Sequence, residues 1–595
     1  MRVARLVIER FRCIKSSELH FDGHSLLIGT NNVGKSTVCE ALDLVLGPDR
    51  LSKFPPVEEY DFYNSEYLDR DTSEPIPLSV EVVLTDLNDE VAGACSKYIE
   101  FWHKEERRLL GEGEIDKANP PHVEKCLRIK TIASYSLEED EFEANTYYCH
   151  SPDAKEDELD KVWKNTKRLF GFLYLRTLRT GRRALSLERG SLLDIILKMQ
   201  GVRTGLWENT IERLKNLDPP IDVEEESLST ILGNIEERLG QYIQSVSGER
   251  TAKLFVSQLT REHLRQTIAF FLSSSQDQTP TPYLKSGSGT LNALVLALLS
   301  FIADVKKDVI FAMEEPEIAL PPHTQRRIAN YLLQSTSQCF VTSHSPYIIE
   351  RFSQRQLSIL RRNIDGKLSI TPVSQGSSLK EKTYRRHARR GLSEAMLGNA
   401  VIIAEGFTEF DVLKALSMKM EDDNSNLMPL DLSGITIITA DGDGSILEFG
   451  RFFNELNIKT YAFYDKMNRS KDELKELNDT FNYPYETAYK GTEKLLIEEI
   501  PTDKQWKFLE LLRAEDTKYS KHVPEDRPDD EDVSKLLFKI LKRAKGDGLA
   551  GRLIDLCPLD ECPESVIEFL ETLYNDFQKP DPIKLPSFDD AEDDE

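Results

Sequence analysis

No apolar run in the chain approaches the ~20 residues that a membrane-spanning helix needs. A secretory signal is not in view either: the opening residues, MRVARLVIERF, are charged and interrupted, and read as a first strand. The eight cysteines are scattered. Only Cys557 and Cys562 lie close together, and no His/Cys cluster completes a zinc site. Reduced thiols in the cytoplasm are the expectation. A surplus of base is missing as well. Lys and Arg number 76 against 102 Asp and Glu, a net charge of −26, whereas nucleic-acid binders usually show a basic face. A sum hides segregation, however. The last seven residues, DDAEDDE, hold six acids, and the segment 525–532 is acid-rich. Basic stretches stand at 176–189 (RTLRTGRRALSLER) and 380–390 (KEKTYRRHARR). No internal repeat is visible. What remains is the composition of a soluble globular protein, 39% hydrophobic and 30% charged, whose 595 residues suffice for two to four domains.

One stretch organises the first half. Gly29 to Ser36, GTNNVGKS, fits G-x-x-x-x-G-K-[ST], a loop whose backbone N–H groups cradle phosphate. The segment 24–28 before it (HSLLI) reads as a buried strand. The segment 37–46 after it (TVCEALDLVL) reads as an amphipathic helix stopped by Gly47-Pro48. Strand, loop and helix N-terminus aim donors and a helix dipole at one point. Gly29, Asn32, Gly34, Lys35, Ser36 and Thr37 are the nucleotide-binding candidates. Lys35 would neutralise the β/γ-phosphates, and the Ser36 hydroxyl would ligate Mg²⁺.

Around this loop, residues 2–21 read as a strand pair and 76–84, 126–133 and 169–175 as further strands, with 138–164 a charged surface segment. From 186 to about 266 the periodicity turns helical, as in a helical insertion. Ser286, Gly287, Ser288 and Gly289 (in SGSGT) precede a long apolar helix over 291–305. Then comes DVIFAMEEP at 308–316, an apolar strand running into two carboxylates. Glu314 is expected in the Mg²⁺ shell and Glu315 beside the attacking water. The segment 339–346 (CFVTSHSP) reads as a strand ending in a histidine, and His344 is a candidate γ-phosphate contact.

In this order the motifs resemble the ATP-binding-cassette ATPases of the structural-maintenance-of-chromosomes and recombination type. That resemblance implies that Ser286 to Gly289 close over the ATP of a second subunit, hence a homodimer. Two features depart from the pattern. No convincing Gln-loop is found, Asp61 in EEYDFY standing where one is sought, and residue 314 is Glu rather than Asp.

The second half carries different chemistry. The buried run VIIA at 401–404 leads into Glu405-Gly406, and Glu409 follows at the start of a helix. A second strand, 435–439, runs into Asp441-Gly-Asp443-Gly. A helix follows, and a third strand over 459–464 ends at Asp465. The βαβαβ order predicts a parallel sheet with ligands at the carboxyl ends of its strands, where Glu405, Glu409 and Asp465 would converge. Such carboxylates suit Mg²⁺ or Mn²⁺ and two-metal phosphodiester cleavage. The pattern resembles a Toprim domain. It departs at Met467, where the second acid of Asp-x-Asp is expected. Glu493 is the first candidate replacement, Glu498 and Glu499 the alternatives. Asp441 and Asp443 either contribute or form only a turn. Lys545, before a Gly-rich turn, is placed to offset charge on the scissile phosphate.

A cassette ATPase followed by a Toprim domain is similar to the OLD (overcoming lysogenisation defect) family of bacterial endonucleases, including the large subunit of Gabija-type phage defence systems. The resemblance implies an α/β multidomain fold. Residues 1–185 and 267–378 would form an ABC/SMC-like ATPase, 186–266 a helical dimerisation insertion, 393–560 a Toprim nuclease domain with helical elements, and 580–595 a disordered acidic tail. It implies ATP and Mg²⁺ or Mn²⁺ as cofactors, DNA as substrate, a homodimer or higher oligomer, and a partner such as a helicase or a retron's RNA/DNA. A non-nucleolytic ATPase clamp with a degenerate Toprim domain is the competing expectation, favoured by Met467 and disfavoured by Glu405, Glu409 and Asp465.

Overall fold

The computed structural model describes residues 1–175 apart from 31, 53, 112, 115–121 and 152–157, then 191–199, 309–373 apart from 318 and 319, and 379–577 apart from 516–518, with isolated positions between 209 and 301. The acidic tail, the basic stretch 176–189 and Ser286 to Gly289 lie outside the described residues. So do most of the helical insertion, of which the helix Leu192–Met199 is described, and most of the helix expected over 291–305. The chain folds into two units. One comprises Met1–Phe11, His20–His24 and Val38–Thr342, the other Arg12–Leu19, Ser25–Thr37 and Ser343–Glu595.

The first unit is built on an antiparallel sheet. Strand Leu78–Thr85 lies between Arg2–Phe11 and Val123–Ser136. The last of these is long enough to serve two partners on one edge. Residues 123–127 pair with Ile99–His103, and residues 129–136 pair with Glu141–Tyr148. That final strand falls inside the charged segment expected to be mere surface. It forms because Phe142, Ala144, Thr146 and Tyr148 alternate with outward polar residues, a period of two that Glu141 and Glu143 disguise. The strand expected from 169 begins at Phe172; Lys164–Leu169 before it is a short helix. In the same unit Ile310–Glu314, wholly buried, lies between Phe172–Leu175 and Gln338–Thr342, all parallel. Such double-sided burial explains its unbroken apolar run. Gln338 ties this region to the first strand: its side chain accepts from Val3 N at 2.7 Å and donates to Val3 O at 3.1 Å and Gly23 O at 3.0 Å.

The second unit contains Ser25–Ile28 paired in parallel with Leu357–Arg362, whose other edge carries Leu368–Pro372. Its larger sheet has four parallel strands in the order Ile435–Thr439, Ala400–Ala404, Lys459–Tyr464, Tyr483–Glu486. The first strand in sequence is therefore central, and the chain runs outward from it in both directions. The crevice at the carboxyl ends of Ala400–Ala404 and Lys459–Tyr464 is the topological switch point, the usual ligand site of such sheets. Helix Phe407–Asp423 covers one face and packs against Leu549–Leu556. Thr502–Ala514, Asp530–Arg543 and Glu564–Asp576 complete the same core. Asp530–Arg543 shows why this region is helical: Val533, Leu537, Ile540 and Leu541 form one buried stripe, Asp529 caps the N-terminus by accepting from Asp532 N, and Lys542 and Arg543 suit the C-terminal dipole. Cys557 and Cys562 are buried free thiols in this core, Cys557 donating to Leu553 O, and burial pushes both up to about 11. Among the described residues no helix is long and apolar enough to cross a membrane.

Candidate functional site

The phosphate loop follows the second unit's strand Ser25–Ile28 and runs into the helix Lys35–Leu46, which begins two residues earlier than its periodicity predicts and from Val38 on is part of the first unit. Gly34, at φ +115°, turns the chain into that helix in a conformation that L side chains rarely adopt. Asn32 is also left-handed, at φ 63°, and is exposed, as is Ser36; Thr37 is buried. The Lys35 side chain is buried and folds back on its loop, donating to Gly29 O at 2.8 Å and Thr30 O at 2.9 Å. Those carbonyls hold the ammonium against the cradle a phosphate would enter. His344 lies between buried Ser343 and Ser345, whose hydroxyl caps the short helix Pro346–Ile349.

In the first unit Glu314 ends its strand with its carboxylate buried, accepting from the Tyr174 hydroxyl. It approaches Cys39 of the helix Lys35–Leu46 closely enough to add to the burial that pushes that thiol well up. Glu315 sits at φ 43°, unusual for a non-glycine residue, and its N–H donates to Thr342 O at 2.9 Å. Strain of this sort gathers at functional positions. Asp61, the residue considered for a Gln-loop, is buried and paired with Arg50 at 3.2 Å, so its carboxylate is spent on local structure.

The acids of the second half gather in the second unit at the switch point. Glu405 follows the central strand directly and accepts from Asp465 N at 3.1 Å. Glu409 is buried in the first turn of the helix Phe407–Asp423. Asp465 follows its own strand and accepts from the Thr492 hydroxyl at 3.1 Å. Glu493 is one residue further into the helix Thr492–Glu499; Thr408 reaches it at 3.4 Å, and Lys545 Nζ meets its Oε1 at 3.1 Å. Its side chain is 7% exposed, while that of Lys545, reaching in from its turn, is 60% exposed. Gly491, at φ +109°, allows the close approach: a Cβ there would lie 3.1 Å from Glu493 Oε2 and 4.0 Å from Asp465 Oδ2.

The electrostatics follow from four acids in one crevice. Burial, then Glu409 and Glu405, push the Asp465 carboxyl up to about 7 against the Thr492 hydrogen bond. Burial also raises Glu405, with Glu409 and Asp443 adding to the effect. Burial works against the Lys545 charge, but Glu493, Glu409 and Asp465 outweigh it, and its pKa is raised. Among the described residues no group of three His, Cys, Asp or Glu side chains is closed into a ready-made metal shell. The acids form a charge cluster instead. Its oxygen-only donors concentrate negative charge where burial already raises Asp465 and Glu405, a setting that a hard divalent ion fits.

The other candidates are engaged elsewhere. Glu499 accepts from Ser565 N at 3.0 Å, and Glu498 is exposed. Asp441, at φ 58°, faces His387 and Arg386, each at 3.6 Å. Asp443 is bound by Arg469, which also pairs with Glu486. Arg469 and Thr492 were not legible in the sequence: an arginine in a polar loop and a threonine opening a helix fit no motif.

The family model for an AAA ATPase domain matches residues 1–349, and that for an Overcoming lysogenization defect protein-like TOPRIM domain matches residues 396–466. Domains of these two kinds use nucleotide and divalent metal. The chain is 21% identical over 490 residues to the Old nuclease of Escherichia phage P2, covering 78% of this chain and 77% of that protein. It is 20% identical over 448 residues to Endonuclease GajA of Bacillus cereus (strain VD045), covering 69% and 66%. A solved SMC head bound to the C-winged helix domain of ScpA aligns at 11% identity with a TM-score of 0.33, over 62% of this chain and 97% of that one, too low a score to carry an argument. The chain belongs to the AAA ATPase domain family, whose model spans more than half of it, and it carries an Overcoming lysogenization defect protein-like TOPRIM domain over residues 396–466.

Proposed function

We propose that this protein is an ATP-regulated, divalent-metal-dependent DNA endonuclease acting in bacterial defence against phage. The observation that carries the reading is the meeting of Glu405, Glu409, Asp465 and Glu493 at the switch point of a parallel sheet, with Lys545 on Glu493. Both relatives are nucleases by name, and the defence role rests on the resemblance to Gabija-type systems. Glu405, Glu409 and Asp465 would hold one Mg²⁺ or Mn²⁺, and Glu493 would complete a second position. Bound there, the metal supplies Lewis-acid polarisation of the phosphodiester and a nucleophile from water. Thr492 and the Asp465 N–H orient the carboxylates through the hydrogen bonds described. Lys545, whose charge the acids reinforce, offsets the negative charge that develops on the scissile phosphate.

The ATPase half sets the geometry in which this site works. By their motifs, Lys35 and Ser36 would take the phosphates and a metal ion and His344 the γ-phosphate, while Glu314 and Glu315 are the strand-end acids expected to serve a metal ion and the attacking water. Ser286 to Gly289 would complete the site of a second copy in a homodimer or higher oligomer. Met467, in place of a second acid, favours one other reading, an ATPase clamp without nuclease activity. Supercoiled plasmid incubated with Mg²⁺ or Mn²⁺ across ATP concentrations separates the two. Wild-type cleavage whose ATP response, but not its existence, changes in Lys35→Ala is expected. ATP hydrolysis with all DNA intact, phage DNA included, supports the clamp.

A further inference from the structure

Two residues beyond Asp465, where a second acid is expected, stands Met467, 45% exposed. Two residues further stands Arg469, whose side chain is only 7% exposed. An arginine is taken out of water only when its donors are used, and here they are. The guanidinium is paired with Asp443 and Glu486, donates through Nη1 to the backbone carbonyl of Asp465 at 3.1 Å, and lies 4.4 Å from the centre of the Tyr464 ring. Glu486 in turn accepts from Met467 N at 3.1 Å. The loop from Asp465 to Arg469 is thus held at its first residue, its middle and its last residue by one buried cation and the acid it binds. The same arrangement commits Asp443 to a salt bridge, as Asp441 is committed to His387 and Arg386. Neither is at liberty to replace the missing acid.

We propose that Arg469 is the positioning residue of the metal centre, taking over the part that a second acid at 467 would play. An acid there would anchor the loop through the metal itself. Arg469 anchors it from behind, before any metal arrives, so that Asp465 is already fixed between the Glu405 carboxylate and the Thr492 hydroxyl. The fork geometry matters, because a lysine is a point charge that cannot serve Asp443, Glu486 and a carbonyl together. The inference rests on the nuclease reading of the acid cluster and deepens it.

The test uses the full-length protein without DNA, with bound and free Mn²⁺ counted by electron paramagnetic resonance, beside melting curves and DNA-cleavage kinetics. Arg469→Gln is expected to weaken Mn²⁺ binding about 10- to 100-fold, the usual cost of losing an outer partner of a metal ligand. Its kcat should fall while KM for DNA stays within about twofold. Arg469→Lys should recover part of the loss. Adding Met467→Asp to Arg469→Gln should recover more, because the new acid ties the loop through the metal. A merely structural role would lower the melting temperature of Arg469→Gln and leave Mn²⁺ affinity and kcat at wild-type values; that result overturns the proposal. If Arg469→Gln shows no cooperative melt, Arg469→Lys decides, and unchanged Mn²⁺ affinity there overturns it equally. A wild-type Mn²⁺ affinity indifferent to Glu405→Gln would instead bring down the nuclease reading of the cluster, and this proposal with it.

Discussion

Replacing Asp465 by Asn should stabilise the metal-free protein. Asp465 is half-buried among Glu405, Glu409 and Glu493, and its carboxyl is pushed from an ordinary 3.8 up to about 7. The difference, roughly 3 units at 1.36 kcal/mol each, corresponds to about 4 kcal/mol against the ionised form. Partial solvation screens such repulsion, and about half of it, ~2 kcal/mol, is a fair expectation. The sign follows from proton counting. Between pH 4 and 7 the folded chain holds the Asp465 proton and the unfolded chain does not, so this group's contribution to stability is lost as pH rises through that window. Above pH 7 the full penalty stands unless a cation offsets it. Asparagine keeps an oxygen for the Thr492 hydroxyl and removes the charge. In chelator at pH 8, Asp465→Asn should therefore melt about 4–8 °C above wild type, and near wild type at pH 4. Mg²⁺ should raise the wild-type melting temperature by mass action and leave the variant nearly unmoved. A variant that melts at or below wild type in chelator at pH 8 would refute the idea that repulsion among these acids calls for a metal.

Three further outcomes follow from the same geometry. Lys167 is buried, with Nζ 3.3 Å from Leu44 O, and burial pushes its pKa down to about 7 despite Asp43. Its folded value lies below its unfolded one, so stability should rise with pH from about 7 to about 10; denaturant titrations of Lys167→Met should show that slope reduced, and an unchanged slope refutes the assignment. Gln338→Leu should cost about 2–4 kcal/mol in chemical denaturation, because the Val3 N–H and C=O lose their buried partner; a cost under about 0.5 kcal/mol would mean those groups find another. Lys545→Met should lower the cleavage kcat on the order of 10²-fold with little change in KM for DNA, and a change confined to KM would make Lys545 a binding residue only.

Much of this architecture was legible in the chain, and the reasons are local. The VIIA run announces the central strand because a strand buried on both faces has no polar residue to interrupt it, and Lys459–Tyr464 was bounded to the residue. Strand-end acids then follow from the position of each strand. Glu141–Tyr148 was hidden because outward glutamates dilute an alternating pattern. Tyr483–Glu486, with Pro484 inside it, was hidden because an edge strand needs only one row of ladder bonds. Arg469 was not legible for a different reason. Its role depends on Asp443, Glu486 and Tyr464, which are distant in sequence and meet only when the sheet forms. For the same reason periodicity did not separate Glu493, Glu498 and Glu499, whereas in the fold Glu499 is held by Ser565 and Glu493 lies beside Gly491 and Asp465 with Lys545 on it.

The central claim is that Glu405 anchors a metal-dependent phosphodiesterase site. The most direct measurement is cleavage of supercoiled plasmid by wild type and Glu405→Ala, in chelator and in Mg²⁺ or Mn²⁺. Nicked or linear product from wild type with metal, and none from the variant or in chelator, is the expected result. Cleavage that persists in Glu405→Ala at the wild-type rate would contradict it.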